Sequence, residues 1–167
     1  EGLLFISDIR TNVTSGVQNP DATDILWNLS QQYNWMYIMK PNYSMLKFRH
    51  PFYTEDPVFF AAKAQAEPYK SDFELSKLHG IDFVENYKTK KLIYWSGTVN
   101  IQAFPGQSST ETRLITTGTE LHDWGTPETY ENKLFYYNLI DRCYVQHFND
   151  NADRKLGFDH CNDCALE

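Results

Sequence analysis

The chain has 167 residues, of which 41% are hydrophobic and 22% charged, and these proportions predict one soluble globular domain with a substantial core. Its formal net charge of −7 argues against sequence-independent binding of nucleic acid, which depends on a basic surface that neutralises phosphates. The sequence contains no apolar run of about 18 residues, so we expect no membrane-spanning helix.

The first predicted element is a strand. Residues 3–7 form a continuous apolar run that leads to Asp8, and such a run is typical of a central strand that is covered on both faces. A protein seldom begins with a central strand, so we expect that an earlier part of the domain is missing from this sequence. The N-terminus has no basic segment of the kind that opens a signal peptide.

A helix and a second strand follow. Asp21 or Thr23 is predicted to cap a helix whose apolar residues recur at helical spacing, and Pro41 ends it. The alternating segment from Tyr43 to Phe48 predicts a strand that contains Lys47. Strand, helix and strand together predict a βαβ unit, in which the two strands are parallel and the crossover is right-handed.

The later elements are predicted with less detail. Residues 53–78 are expected to be irregular or to form short helices, residues 92–104 to be β-like, residues 111–116 to form a strand and residues 127–141 a helix. A basic cluster, Lys88 to Lys91, precedes the β-like segment. Such clusters are more often solvated loops than nucleic-acid patches, although this one could also face RNA or a partner.

Three polar residues, Asp8, Lys47 and Glu111, each lie at an end of an apolar strand. Open α/β sheets bind ligands beyond the carboxyl ends of their strands, where two carboxylates could orient a partly desolvated lysine. The alternative is purely structural. Lys47 would then face solvent, Asp8 would cap the following loop, and Glu111 would pair with Arg113 or Lys47.

Several segments in a fixed order resemble one protein family: Ile6 to Arg10, Leu46 to Phe52, Glu111 to Leu114 and Tyr130 to Asn138. The family is that of the poxvirus cap-specific mRNA 2′-O-methyltransferases, whose poxvirus member is also the processivity subunit of poly(A) polymerase. The resemblance implies an α/β, Rossmann-like methyltransferase fold with a mostly parallel sheet and helices on both faces. It also implies a viral protein of the virion or of the cytoplasm of an infected cell.

The resemblance implies a domain organisation and a mechanism. Residues 1–148 would be the C-terminal half of a catalytic domain, and residues 149–167 a tail. S-adenosylmethionine would supply a methyl group to the ribose 2′-hydroxyl of the first transcribed nucleotide. Lys47 would accept or stabilise the departing proton, with Asp8 and Glu111 orienting it. The family's cofactor loop and first catalytic lysine would precede Asp8, so we expect the 167-residue chain alone to be inactive.

The resemblance also assigns a cap-binding role to Phe52 and Glu131. In the family, aromatic rings stack on N7-methylguanine, because the positive charge of this base is attracted to an aromatic face. Carboxylates accept hydrogen bonds from the edge of the same base. The structural alternatives are core packing for Phe52 and a solvated helix face for Glu131. Thr54 and Ser108 depart from the family's pattern, so cap affinity is expected to differ.

Arg10 and Asn28 match positions near the RNA path of the family. Arg10 would contact a phosphate, to which its guanidinium is suited, or else pair with a neighbouring acid. The partners implied are capped mRNA and a poly(A) polymerase catalytic subunit. The main alternative to the enzyme is therefore a non-catalytic RNA-binding and processivity subunit, and a further one is a folded fragment that does neither.

The three cysteines, Cys143, Cys161 and Cys164, are an odd number, which favours a reducing compartment. Cys161 and Cys164, with His160 and either Cys143 or His147, could form a zinc site. A single Cys-x-x-Cys pair is a weak signal, however. We expect free thiols and no bound metal.

Overall fold

Among the described residues, the fold consists of a mixed sheet, a two-stranded sheet and five helices. The computed structural model describes residues 2–11, 20–101 and 112–137. Within these ranges the elements are, in chain order, β1 (Leu4–Ser7), α1 (Ala22–Met39), β2 (Tyr43–Phe48), α2 (Pro57–Ala64), α3 (Tyr69–Leu78), α4 (Phe83–Thr89), β3 (Ile93–Trp95), β4 (Thr98–Ile101), β5 (Thr112–Thr116), β6 (Leu121–Asp123) and α5 (Pro127–Tyr136).

Helix α1 begins and ends where local chemistry predicts. The side chain of Asp21 accepts a hydrogen bond from the backbone N–H of Asp24 at 2.9 Å, so Asp21 is the N-cap and Thr23 lies inside the helix. Lys40 adopts a left-handed conformation that ends the helix, and Pro41 follows it. The predicted helix and its stop are therefore confirmed.

The main sheet has the order β1-β2-β5-β4. Strands β1 and β2 are parallel, as the βαβ prediction requires, but β5 is antiparallel to both of its neighbours. The expectation of a mostly parallel sheet is therefore wrong, because β5 inserts between β2 and β4 in the reverse direction. Strands β3 and β6 form a separate antiparallel pair.

The two faces of the main sheet differ sharply in burial. Leu46 and Leu114 are fully buried on one face, where α1 and α5 pack, whereas Leu4 and Ile6 are 62% and 58% exposed on the other. Among the described residues the helices thus cover one face, not both. Strand β1 is an edge strand in this sheet, so the prediction of a central strand buried on both faces is wrong for the described part of the chain.

Several of the remaining elements were predicted in outline, whereas α4 and β6 were not. Residues 53–78 do contain short helices, α2 and α3, and the β-like segment 92–104 divides into β3 and β4, which belong to different sheets. The helix predicted over 127–141 is described as far as Tyr136. No helix in the described ranges combines the length and apolarity needed to cross a bilayer.

A buried polar network joins α1 to α3. The hydroxyl of Ser76 lies 2.7 Å from that of Ser30, and it is within hydrogen-bonding distance of Asn34 Oδ1 at 3.1 Å and of the Asp72 carbonyl at 2.9 Å. Ser30 and Ser76 are both fully buried. Buried polar groups that lose a partner carry the full cost of desolvation, so this network should contribute measurably to stability.

We expect Ser76→Ala to lower the free energy of unfolding by about 1 kcal/mol, because it removes the buried hydrogen bonds of Ser76 with Ser30 and Asn34 on α1, which keep their contacts with Asp72 and His79. The matched control is Ser71→Ala on the same helix, where the hydroxyl bonds Glu67 on the surface, and its effect should stay within about 0.5 kcal/mol. Urea unfolding of both variants measures the difference. Equal effects would show that the network is energetically neutral.

Candidate functional site

The structure brings together two of the three predicted catalytic residues. Lys47 Nζ donates a hydrogen bond to Asp8 Oδ1 at 3.0 Å, across the parallel pair β1 and β2. From α1, the side-chain amide of Gln32 donates to the Lys47 carbonyl at 3.0 Å and so fixes the backbone at this point. The pair lies at the carboxyl ends of two parallel strands, which is where open α/β sheets bind ligands.

Arg113 is a third member of this cluster, although the sequence indicated it only as a possible ion-pair partner of Glu111. Its Nη2 lies 3.0 Å from the same Asp8 Oδ1, because Arg113 is the register partner of Lys47 across β2 and β5. The position of Arg113 in the sequence does not reveal this contact with Asp8, because only the antiparallel register of β2 and β5 places Arg113 beside Lys47. Asp8 thus receives two cations, and all three side chains lie on the open face of the sheet. We call Asp8, Lys47 and Arg113 the strand-end cluster.

Glu111, the third predicted catalytic residue, lies outside the described residues. The role assigned to it stays a prediction. The next residue along the chain, Thr112, is buried and donates its hydroxyl to the Phe48 carbonyl at 2.5 Å. That bond fixes the start of β5 against the end of β2.

The charge of Asp8 is strongly favoured. Burial acts to raise the pKa of Asp8, but the hydrogen bond from Lys47 and the charges of Lys47 and Arg113 outweigh it and hold this pKa below its ordinary value. An ionised Asp8 can keep the Lys47 amine oriented at the strand ends.

We expect Arg113→Met to raise the pKa of Asp8, because it removes one of the two cations that stabilise the carboxylate. The depressed pKa means that Asp8 contributes stability above its unfolded pKa of about 3.9, and that this stability is lost as the pH falls through the folded value. The variant should therefore lose less stability on acidification. Carbon NMR titration of the Asp8 carboxyl measures the pKa, with Lys70→Met on α3 as the control. An unchanged pKa would show that the Arg113 charge does not act on Asp8.

His50 anchors the chain as it leaves β2. Its side chain is fully buried, and Nε2 donates to the Gly125 carbonyl at 2.9 Å, just before α5 begins. Burial lowers the pKa of His50 despite the carbonyl contacts that oppose it, so the ring is neutral at physiological pH. This contact holds residues after β2 beside the first turns of α5.

Phe52 and Glu131, the two predicted cap-binding residues, line one pocket. The pocket has a volume of about 350 Å³, at the small end of the range typical of small-molecule sites. Its walls come from the segment after β2, the end of α4 and the first half of α5: Phe52, Tyr53, Thr54, Lys90, Pro127, Glu128, Glu131 and Asn132. An exposed aromatic ring and two carboxylates thus meet in one concave site.

Glu131 has one buried carboxylate oxygen that receives no hydrogen bond within the described residues. Its Oε1 is buried and accepts no hydrogen bond from any residue in the described part of the chain, and Arg49 Nη2 approaches it at 3.9 Å. Burial raises the pKa of Glu131, and the Arg49 charge only partly opposes this. A buried acceptor of this kind can read the N–H groups at the edge of a base.

Two further features bear on the pocket. Thr54, which stands where the family pattern has an acid, does line the wall, so a hydroxyl replaces a carboxylate there. Lys90, from the basic cluster, also lines it, whereas Lys91 pairs with Asp123 at 3.6 Å. The basic cluster is therefore divided between the pocket and a surface ion pair.

The predicted RNA-contacting residues lie at the start of the loop after β1 and on α1. Arg10 is exposed. Asn28 is buried, and its Oδ1 accepts a hydrogen bond from the Thr11 hydroxyl at 2.7 Å. This contact gives Asn28 a structural role in holding the loop against α1, and contact with RNA stays a prediction for both residues.

The possible zinc ligands, Cys143, His147, His160, Cys161 and Cys164, lie outside the described residues. Within the described ranges, no group of three or more His, Cys, Asp or Glu side chains is arranged to hold a metal ion.

Comparison with known proteins identifies the family. The family model described as poly A polymerase regulatory subunit matches residues 1–163, which is almost the whole chain. A search of curated proteins returned no significant match. The chain therefore belongs to the poly(A) polymerase regulatory subunit family.

Proposed function

We propose that this chain acts as a regulatory subunit of a poly(A) polymerase, which it binds and whose tail synthesis it promotes. The family match over residues 1–163 carries this proposal. The acidic net charge of −7 fits a subunit that adds local, shaped contacts to RNA, while the bulk of phosphate neutralisation comes from its partner.

Association with the catalytic subunit is the first test. Isothermal titration of the chain into purified catalytic subunit should give a saturable complex of defined stoichiometry. Absence of binding at micromolar concentrations of both proteins would contradict the proposal.

A second candidate function, methyl transfer to a ribose 2′-hydroxyl of capped mRNA, is favoured by one observation. This is the 3.0 Å contact of Lys47 Nζ with Asp8 Oδ1 at the carboxyl ends of parallel strands, where Arg113 adds a second cation. Two members of the cluster, Asp8 and Lys47, are residues to which the methyltransferase resemblance assigns catalytic roles.

In this reaction Lys47 would face the attacking hydroxyl. In its ammonium form Lys47 would stabilise the developing alkoxide by its charge, whereas it would accept the hydroxyl proton only in its neutral form, in which Nζ has a lone pair. Asp8 would orient Lys47. Arg113, which contacts the same carboxylate oxygen of Asp8, would add a second positive charge there. S-adenosylmethionine supplies the electrophilic methyl group when it is bound. The strand-end cluster suits the acceptor side of such a site, because its groups orient a hydroxyl and its proton.

The pocket would hold the cap. N7-methylguanine carries a positive charge, which favours stacking on the Phe52 ring, and Glu131 Oε1 would accept from the N–H groups of its edge. Phe52 lies five residues after Lys47 in the chain, so one segment would carry both cap recognition and the acceptor site.

The two candidate functions can be separated by one substitution. Lys47→Met should remove methyl transfer and leave binding of the polymerase intact, because the residue is catalytic only in the second function. Loss of both functions in a folded variant would mean that the strand-end cluster belongs to the polymerase interface.

A further inference from the structure

Arg49 links the two residues that are proposed to bind the cap. Its guanidinium carbon lies 4.8 Å from the centroid of the Phe52 ring, and its Nη2 lies 3.9 Å from Glu131 Oε1. About a third of each side chain of the ion pair is exposed, so both charges are partly desolvated. Arg49 itself does not line the pocket, and it therefore acts on a ligand through the other two residues.

We propose that Arg49 is the positioning residue of this pocket, which holds the Phe52 ring and the Glu131 carboxylate in the geometry that a cationic base requires. This inference rests on the proposed binding of N7-methylguanine. Arginine suits the role because one planar group can stack on an aromatic face and direct its N–H fork at a carboxylate, which a lysine cannot do equally well.

The location of Arg49 supports this role. It follows the last residue of β2 directly, and Phe48 and His50 on either side of it are buried. Its backbone is thus fixed by the sheet on one side and by the contact of His50 with Gly125 on the other. Because its backbone is fixed in this way, the Arg49 side chain can set the orientation of the Phe52 and Glu131 side chains.

Arg49 also bears on the charge of Glu131. Burial raises the pKa of Glu131 and Arg49 acts against it, so removal of Arg49 should raise this pKa further. The other charged or titratable groups around the pocket are Lys90 at the end of α4, Glu128 one turn earlier on α5, the neutral His50, and the phenols of Tyr53 and Tyr130, whose pKa values are raised by burial. Of these, Lys90 alone is a cation that remains when Arg49 is replaced.

The sign of the pH effect follows from this. Glu131 must be ionised to accept from both N–H groups at the guanine edge, so binding falls as the pH falls through its pKa. A variant without Arg49 should lose binding at a higher pH than the wild type does.

The experiment uses Arg49→Met, Arg49→Lys and the control Lys133→Met in the full chain. Lys133 is exposed on α5, two residues from Glu131 and hence on a different side of the helix, so its replacement removes one charge without altering the pocket. Circular dichroism verifies folding. Carbon NMR titration gives the pKa of the Glu131 carboxyl without ligand, and fluorescence titration with N7-methylguanosine triphosphate gives affinity as a function of pH.

We expect Arg49→Met to raise the pKa of Glu131, to shift the acid limb of nucleotide binding upward by the same amount and to weaken binding at neutral pH about tenfold. Arg49→Lys should retain part of the effect on the pKa, since the charge is kept, but lose most of the affinity, since the stacking is lost. Lys133→Met should match the wild type in both measurements.

The outcomes separate this inference from the proposed function. If the pKa of Glu131 and the Phe52 ring resonances are the same in all folded variants, the positioning role is overturned, whatever the nucleotide affinity. If they respond to Arg49 but the wild type binds no N7-methylguanosine triphosphate, Arg49 does position the pocket, whereas cap binding is overturned.

Discussion

In a form of the protein that carries a cofactor-binding loop, replacement of Lys47 by methionine is expected to reduce the proposed methyl transfer to the ribose 2′-hydroxyl by about a thousandfold, which is typical of the loss of a positioned acid–base group. The Lys47 amine is the group that contacts Asp8 at the strand ends, and methionine removes it while keeping most of the side-chain volume. Transfer of radioactive methyl from S-adenosylmethionine to capped RNA measures the loss. Arg113 would be left as the one cation on Asp8, so the fold at the cluster should persist.

Two further variants make this result interpretable. Lys47→Arg keeps a positive charge and removes the group that accepts a proton, so it separates proton transfer from electrostatic stabilisation. Lys88→Met, on the exposed last turn of α4, is the matched control and should retain wild-type transfer. Substantial transfer by Lys47→Met would exclude Lys47 as the catalytic residue. Transfer that survives in Lys47→Arg alone would assign it a purely electrostatic role.

Phe52→Ala is expected to lower the affinity for an N7-methylated cap by roughly tenfold to a hundredfold, the usual cost of removing an aromatic ring on which a base stacks. Phe52 is 39% exposed at the pocket, so its removal should cost the fold little compared with the loss of a buried core ring. Fluorescence titration with a methylated cap analogue measures the affinity.

The discriminating comparison is between methylated and unmethylated cap analogues. Because only the methylated base is cationic, Phe52→Ala should reduce the preference for it, and Phe52→Tyr should restore most of that preference. Phe59→Ala, which removes an exposed ring on α2 outside the pocket, is the control. Equal loss of affinity for both analogues would show that Phe52 does not recognise the charge of the base.

The local features of the fold were accessible from the sequence. The cap at Asp21, the stop at Pro41 and the parallel pairing of β1 with β2 all follow from turn chemistry and hydrophobic periodicity over short distances. The proximity of Asp8 to Lys47 follows in turn, since both leave adjacent parallel strands at the same edge. These inferences need no knowledge of distant contacts.

The direction of β5 was not accessible in this way. Its antiparallel pairing with β2 depends on how the long segment between them returns, and no residue within β5 encodes that choice. Lys47 and Arg113 are register partners only because β5 is antiparallel to β2, so the second cation beside Asp8 could not be predicted without the direction of β5. The apolar run of β1 likewise predicted burial on two faces, because periodicity reports that a side chain is apolar and does not report what covers it.

The pocket was predicted in part. The family resemblance singled out Phe52 and Glu131, which the structure brings to one site. The contacts of Arg49 with both of them were not predicted, because an arginine at the end of a strand is usually a surface residue. Lys90 was part of a cluster that was expected to be mostly solvated, and only the packing of α4 beside α5 places it at the pocket.

The length of the poly(A) tails made by the catalytic subunit is the most direct test of the regulatory function. Elongation of an RNA primer should be measured at a fixed concentration of catalytic subunit, with increasing concentrations of the chain. We predict a saturable shift to longer tails, and the same shift with Lys47→Met, because the regulatory function does not require the proposed catalytic lysine. An unchanged distribution of tail lengths at a saturating concentration of the chain would contradict a regulatory role.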